Sequence, residues 1–130
     1  MNNQNGNIAE GKFISEAISR GFSISKPVVG ESQYDYILDN KKELIRVQVK
    51  STHKHRKEND RYKINTNYGG GDKKLYTNGD IDIFAIYVAD CDVWYFISID
   101  DIQAKTINLY PHRESNGSYE SYKDNWKVLR

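Results

Sequence analysis

A hairpin pattern in residues 33 to 52 constrains the fold of this chain more than any other feature. Two segments rich in β-branched and aromatic residues, Gln33 to Asp39 and Leu44 to Thr52, flank the polar segment Asn40 to Glu43. Such a pattern is typical of two antiparallel strands joined by a short loop. The loop length then sets which residues of the two strands face each other.

With residues 40 to 43 as the loop, Asp39 pairs with Leu44, and the same register places Asp35 opposite Gln48. Facing residues on one side of a sheet have Cβ atoms about 4.5–5.5 Å apart, close enough to share a ligand. On the second strand, apolar and polar residues alternate between the two faces of the sheet. One face, towards the core, carries Ile45, Val47 and Val49, and the other carries Arg46, Gln48 and Lys50. A shift by one residue would move Asp35 to the core face.

A helix is predicted from Ile8 to Arg20, with Asn7 as its N-cap and Gly21 just beyond its end. Its apolar stripe consists of Phe13, Ile14, Ala17 and Ile18. Helical spacing places Glu10 at the edge of this stripe, where it is partly buried. A carboxylate favoured by the helix dipole is the simpler interpretation of Glu10.

The spacing of Glu16 and Arg20 instead predicts a solvated ion pair on the opposite face of the helix.

Further elements follow along the chain. Phe22 to Val29 is predicted as a first strand, in which Pro27 indicates either an edge position or an irregular end. The apolar segment Ile81 to Ala89 is predicted as a central strand buried on both faces. Other predicted elements are strands at Tyr62 to Asn67, Val93 to Ile97 and Thr106 to Leu109, a short helix capped by Ser98 with Asp100 and Asp101 in its first turn, and a segment that packs back at Trp126 to Leu129. This order indicates one α+β domain, residues 1–130, with a mixed central β-sheet.

Length and composition exclude several classes of protein. A chain of 130 residues suits a single core, and no run of about 18 apolar residues predicts a membrane span. The N-terminal segment lacks the features of a signal peptide, so a cytoplasmic location is expected. Cys91 is the only cysteine, which excludes an internal disulfide and a thiolate cluster for zinc. Gly69 to Gly71 lacks the lysine of a phosphate-binding loop, so this segment is predicted to be a hinge. No organic cofactor is expected.

The net charge of +1 hides an uneven distribution. Lys41 to Lys74 contains 11 lysines and arginines against 4 acids, whereas Asp80 to Ala104 contains 6 acids and no lysine or arginine. Within the polar loop His53 to Arg61 and the strand after it, the candidate phosphate contacts are Lys54, Arg56, Lys57, Arg61 and Lys63. They are solvated charges if this face does not meet DNA. His53 and His55 lack a third ligand nearby and are interpreted as surface residues.

The polar side chains of the predicted hairpin and helix are of the kinds that phosphodiester cleavage requires. Carboxylate and amide oxygens hold Mg²⁺, which polarises a phosphate and lowers the pKa of an attacking water. A neighbouring lysine orients that water or stabilises the transition state. If the helix packs beside the hairpin, Asp35, Glu10, Gln48 and Lys50 supply these groups.

The same residues resemble the signature of the PD-(D/E)XK nuclease superfamily, in which an acid at the start of one strand faces an acid-X-lysine motif on its partner. These positions are Tyr34-Asp35 and Gln48-Val49-Lys50. The chain most resembles the homing endonucleases associated with group I introns, which also have glutamine in that motif, followed by small hydroxylated residues such as Ser51 and Thr52. The segment GNIAEGKF resembles the helix motif of that group, with its glutamate at Glu10. The resemblance covers residues 7 to 109, and the tail from Pro111 matches no part of it.

The resemblance implies a restriction-endonuclease-like core, with a sheet flanked by helices, and cleavage of DNA with Mg²⁺, or Mn²⁺ as its substitute. Asp35 would be the main metal ligand, Gln48 and Glu10 would assist it, and Lys50 would activate the nucleophile. Because one site cuts one strand at a time, cleavage of a duplex predicts a homodimer or a higher homo-oligomer. A Holliday junction resolvase of the archaeal type and an inactive DNA-binding relative are the alternatives.

Overall fold

A computed structural model describes residues 4–30, 32–53, 55–56, 61–68, 74–112 and 118–130, with the backbone alone described at 55 and 56. The elements in chain order are α1 (Gln4–Ser19), β1 (Ser23–Ser25), β2 (Tyr36–Asp39), β3 (Leu44–Thr52), β4 (His55–Arg56), β5 (Arg61–Asn65), β6 (Asn67–Tyr68), β7 (Lys74–Leu75), β8 (Ile83–Val88), β9 (Val93–Ser98) and β10 (Thr106–Leu109). Short 3₁₀ helices occupy Ile99–Asp101, Glu120–Tyr122 and Trp126–Leu129.

The central sheet has five strands in the order β1-β2-β3-β8-β9. The β3–β8 pair is parallel and the other pairs are antiparallel, so the predicted mixed sheet is confirmed. The predicted hairpin register is also confirmed, because Asp39 pairs with Leu44 and Tyr36 with Val47. Strand β8 lies between β3 and β9, and all of its residues are buried, as expected for a strand covered on both faces.

Helix α1 covers one face of this sheet. Its contact stripe is Ala9, Phe13 and Ala17, spaced four residues apart on one side of the helix. Ile14 packs at the margin of this stripe, whereas Ile18 is mostly exposed, so its prediction as a core residue was wrong.

The bounds of α1 differ from the prediction at the N-terminus. The helix begins at Gln4, so Asn7 lies inside it and the prediction of an N-cap there was wrong. The predicted end is confirmed within a residue. Gly21 has a φ of 92°, a left-handed conformation that glycine adopts without steric cost, and the N–H of Phe22 donates to the carbonyl of Ala17.

The opposite face of the central sheet is covered by a small antiparallel sheet of order β10-β5-β4. Successive residues of β8 therefore alternate between the two cores: Ile83, Ala85 and Tyr87 belong to the α1 side, and Phe84, Ile86 and Val88 to the other. Because α1 is the only α-helix among the described residues, the expectation of a sheet flanked by helices holds for one face. The predicted polar loop from His53 to Arg61 contributes β4 and the first residue of β5.

The remaining predictions of elements are largely confirmed. Strand β1 is an edge strand, shorter than predicted, and Ser98 caps the 3₁₀ helix by accepting a hydrogen bond from the N–H of Asp100. Trp126 and Leu129 are buried against the α1 side, so the tail does pack back. The predicted hinge at residues 69 to 71 lies outside the described residues. None of the helices in the described ranges is long and apolar enough to cross a membrane.

Candidate active site

Asp35 is held in place by the strand that it faces. Its backbone N–H donates to the carbonyl of Val47 at 2.8 Å, and its Oδ2 accepts a hydrogen bond of 2.9 Å from the N–H of Val49. These two partners lie on either side of Gln48 in the sequence. Among the described residues, no hydrogen bond reaches the other carboxylate oxygen, Oδ1. The side chain is therefore anchored by one oxygen beside Gln48.

Gln48 and Lys50 lie on the same face of β3. The pleat of the strand turns Val47 and Val49 towards the α1 core, where both are buried, while Gln48 and Lys50 are half-buried on the other face. This alternation is the one that the hairpin pattern predicts.

Glu10 reaches the site from α1 through Tyr36. The hydroxyl of Tyr36 donates a hydrogen bond of 2.7 Å to the Oε1 of Glu10, and Tyr36 follows Asp35 directly in the chain. Burial, together with this hydrogen bond to a carboxylate, raises the pKa of Tyr36 well above its usual range. The phenol therefore remains a hydrogen-bond donor and orients Glu10.

Opposing electrostatic effects act on Asp35. Burial raises the pKa of its carboxyl group, and the nearby charge of Glu10 raises it further. The hydrogen bond from Val49 and the charges of Lys50 and Lys26 lower this pKa, but the net shift is upward. The two carboxylates therefore repel each other through their charges, and a nearby cation would offset that repulsion.

Tyr76 packs against the lysine of the site, and sequence reasoning missed it. The Nζ of Lys50 lies 5.5 Å from the centre of the Tyr76 ring, within the range of a cation–π contact. Burial, and then the charge of Asp35, raise the pKa of Tyr76 to about 12. Tyr76 lies between β7 and β8, in a segment without the periodicity that would have marked it.

The donor set of the site consists of oxygens. Carboxylates of Asp35 and Glu10 and the amide of Gln48 suit a hard divalent cation such as Mg²⁺ and do not suit zinc, which favours nitrogen and sulfur. Among the described residues, no group of three or more histidines, cysteines and acids is placed to hold a metal. Coordination at this site would therefore depend on Gln48 and on water in addition to the two acids.

A match to a known family identifies the class of protein to which this chain belongs. The sequence matches the PD-(D/E)XK endonuclease family over residues 1–129. The chain belongs to that family. Among solved structures, it is similar to a bacterial homing endonuclease, I-Ssp6803I, with a TM-score of 0.84 and 24% sequence identity over 96% of this chain and 90% of that one. At this identity the likeness shows a shared fold. No curated protein matches the sequence.

The basic residues predicted to contact phosphates are only partly described in this PD-(D/E)XK endonuclease. Lys63 is exposed on β5, whereas Arg61 is half-buried at the start of that strand. Lys63 and Lys50 both line a cavity of about 230 Å³ between the end of β3 and β5. Lys54 and Lys57 lie outside the described residues, and only the backbone of Arg56 is described.

The two histidines interpreted as surface residues are also partly described. His53 is exposed, and its Nδ1 lies 3.1 Å from the Nδ2 of Asn5 in α1. The side chain of His55 lies outside the described residues.

Proposed function

We propose that this PD-(D/E)XK endonuclease hydrolyses phosphodiester bonds of DNA with the help of a divalent cation, Mg²⁺ with Mn²⁺ as a substitute. Asp35 is the main protein ligand of the cation, and Gln48 and Glu10 assist it directly or through water. Lys50 activates the nucleophile. The observation that carries this proposal is the hydrogen bond from the N–H of Val49 to Asp35, because it couples the acid to the strand that bears Gln48 and Lys50.

Each side chain has a role that follows from its surroundings. A bound divalent cation polarises the phosphate and lowers the pKa of water. Asp35 keeps Oδ1 available while the strand holds Oδ2, and Tyr36 orients Glu10. The ammonium of Lys50, held over the ring of Tyr76, positions the attacking water and stabilises the negative charge that develops on the phosphate.

The type of DNA target is proposed from the structural neighbour. I-Ssp6803I is a homing endonuclease, and the shared fold favours site-specific cleavage of a duplex over resolution of four-way junctions. Cleavage of both strands by a single domain of residues 1–130 is best served by a homodimer or a higher homo-oligomer with two-fold symmetry. Lys63 and Arg61, with Lys54, Arg56 and Lys57, are the proposed phosphate contacts.

Plasmid cleavage tests the proposal. Wild-type protein should cleave supercoiled plasmid in Mg²⁺ and leave it intact in EDTA. The Lys50→Ala variant should cleave the plasmid more slowly by a factor of about a hundred. Lys127→Ala is the matched control, because Lys127 is an exposed lysine in the C-terminal 3₁₀ helix. Cleavage by Lys50→Ala at the wild-type rate would refute the mechanism.

A second assay separates duplex cleavage from junction resolution. Four-way junctions and linear duplexes are compared at equal salt concentration, because salt changes the affinity of any phosphate-binding protein. Preferential cleavage of the junction would favour a resolvase. Salt-dependent binding without cleavage in Mg²⁺ or Mn²⁺, and without rescue by Gln48→Glu, would indicate an inactive relative.

A further inference from the structure

The loop between β1 and β2 carries two apolar side chains that project into solvent. Val28 is fully exposed, and Val29 has 64% of its surface exposed. Single exposed apolar residues are ordinary on protein surfaces, but here two are adjacent and follow Pro27, whose fixed φ limits the conformations of the loop. The fixed φ of Pro27 removes one backbone rotation of this loop and so lowers the conformational entropy that the loop loses on binding.

The base of this loop lies at the rim of the candidate active site. The Nζ of Lys26 lies 5.9 Å from the ring centre of Tyr36, which in turn donates to Glu10. The charge of Lys26 also acts on the carboxyl group of Asp35. Lys26 therefore lies within electrostatic reach of Asp35, and the two exposed valines follow it two and three residues later in the chain.

We propose that Val28 and Val29 form an apolar wedge that inserts into a groove of duplex DNA beside the scissile phosphate, while Lys26 contacts a neighbouring phosphate. This inference rests on the proposed function, since it takes Asp35 to be the centre of cleavage. Apolar side chains that enter between base steps partly unstack them and bend the duplex. Burial of the valine surface offsets part of the unstacking energy, and the deformation positions the phosphate at Asp35.

Leu44 provides a matched control. It has 65% of its surface exposed, almost the same as Val29, but it pairs with Asp39 beside the hairpin loop, at the end of β3 away from Lys50. Replacing it with serine removes a similar apolar surface from a part of the protein that the wedge does not involve.

The test uses the full chain with Asp35→Asn, which removes cleavage so that binding is measured alone. Bound to relaxed closed plasmid in the presence of a topoisomerase that needs no metal, this protein should change the linking number, because a wedge unwinds DNA. Adding Val28→Ser and Val29→Ser should abolish that change and weaken binding to a duplex about tenfold. The salt dependence of binding should stay the same, since no phosphate contact is lost. Adding Leu44→Ser instead should change neither measurement.

Each other outcome has a defined meaning. The wedge is refuted if the valine variant unwinds and binds DNA as the Leu44→Ser variant does, or if the Asp35→Asn protein leaves the linking number unchanged. A smaller sedimenting species for the valine variant would assign the valines to contacts between copies of the chain and would also overturn the inference. Failure of the proposed function is distinguished from failure of the wedge, because the wild-type protein would then cleave no plasmid in Mg²⁺.

Discussion

The N–H of Val49 donates a hydrogen bond of 2.9 Å to the Oδ2 of Asp35. Through this bond, the acid just before β2 is held against β3, which also carries Gln48 and Lys50. A carboxylate that is held by a backbone N–H, and not by a mobile side chain, loses little conformational entropy when it binds a cation or substrate. The pair explains how a short hairpin can preorganise most of the proposed catalytic site.

Asp35→Asn should remove cleavage without unfolding the protein. Burial and the charge of Glu10 raise the pKa of Asp35, so the folded protein holds this proton more tightly than the unfolded chain does. The associated stabilisation is present below the unfolded pKa of about 3.9 and is lost as the pH rises through the folded value, so the ionised carboxylate is disfavoured at pH 7. A neutral amide there should leave the metal-free protein at least as stable as the wild type.

Thermal unfolding in EDTA and then in MgCl₂ checks this prediction. The metal should raise the midpoint for the wild type and not for Asp35→Asn, because a ligand stabilises only the state that binds it. An equal increase for both proteins would place the cation elsewhere.

Gln48→Glu should strengthen metal binding. A carboxylate in place of the amide adds negative charge beside Asp35, and affinity for hard cations rises with the charge of their ligands. We expect the Mg²⁺ concentration for half-maximal plasmid cleavage to fall by about tenfold. Gln103→Glu, at an exposed position after the 3₁₀ helix Ile99–Asp101, controls for the change in net charge. An unchanged Mg²⁺ dependence in Gln48→Glu would contradict a role for this residue in metal binding.

Tyr76 should act through its aromatic ring. Tyr76→Phe keeps the ring 5.5 Å from Lys50, so cleavage should stay within about twofold of the wild type, whereas Tyr76→Leu removes the cation–π contact and should slow cleavage about tenfold. The loss should appear in kcat rather than KM if Lys50 acts in the transition state. Because Tyr76 also packs edge-on against Phe84, unfolding midpoints are measured alongside. Equal kcat values for the two variants would exclude the positioning role.

How far the sequence predicts this site depends on the range of the interactions involved. The hairpin register follows from a loop length and an alternation of apolar residues, both local properties, and the structure has the predicted pairing of Asp39 with Leu44. The contacts of Tyr76 and Lys26 with the site are different, because they come from segments whose positions depend on packing of the whole chain. No periodic pattern marks such residues.

The ends of α1 show the same distinction. Gly21 predicts the C-terminal end because a left-handed residue has a strong local preference for glycine. The start at Gln4 was missed because Asn7 has the side chain of a good N-cap, yet the helix continues past it. Asn5, in the added turn, lies beside His53 at the end of β3, a contact that local propensity does not report.

The ion pair between Arg46 and Asp82 should make stability depend on pH. The Nη2 of Arg46 lies 2.9 Å from the Oδ1 of Asp82, and the same guanidinium donates to the carbonyls of Asn78 and Gly79, so this pair joins β3 to the turn before β8. The hydrogen bond from Arg46 lowers the pKa of Asp82. The stabilisation of the folded protein by ionised Asp82 is therefore present above the unfolded pKa of about 3.9. It is lost as the pH falls through the lower pKa of the folded state.

Asp82→Asn should accordingly lower the free energy of unfolding at pH 7 by about 1 kcal/mol, a value discounted because the pair is partly exposed to solvent. The difference from the wild type should shrink as the pH falls below about 4 and the Asp82 carboxylate becomes protonated. Urea unfolding at a series of pH values measures this difference. Glu43→Gln, which neutralises an exposed carboxylate in the hairpin loop, should show little effect at any pH. A deficit of Asp82→Asn that stayed constant at the lowest pH would mean that the ion pair is not its cause.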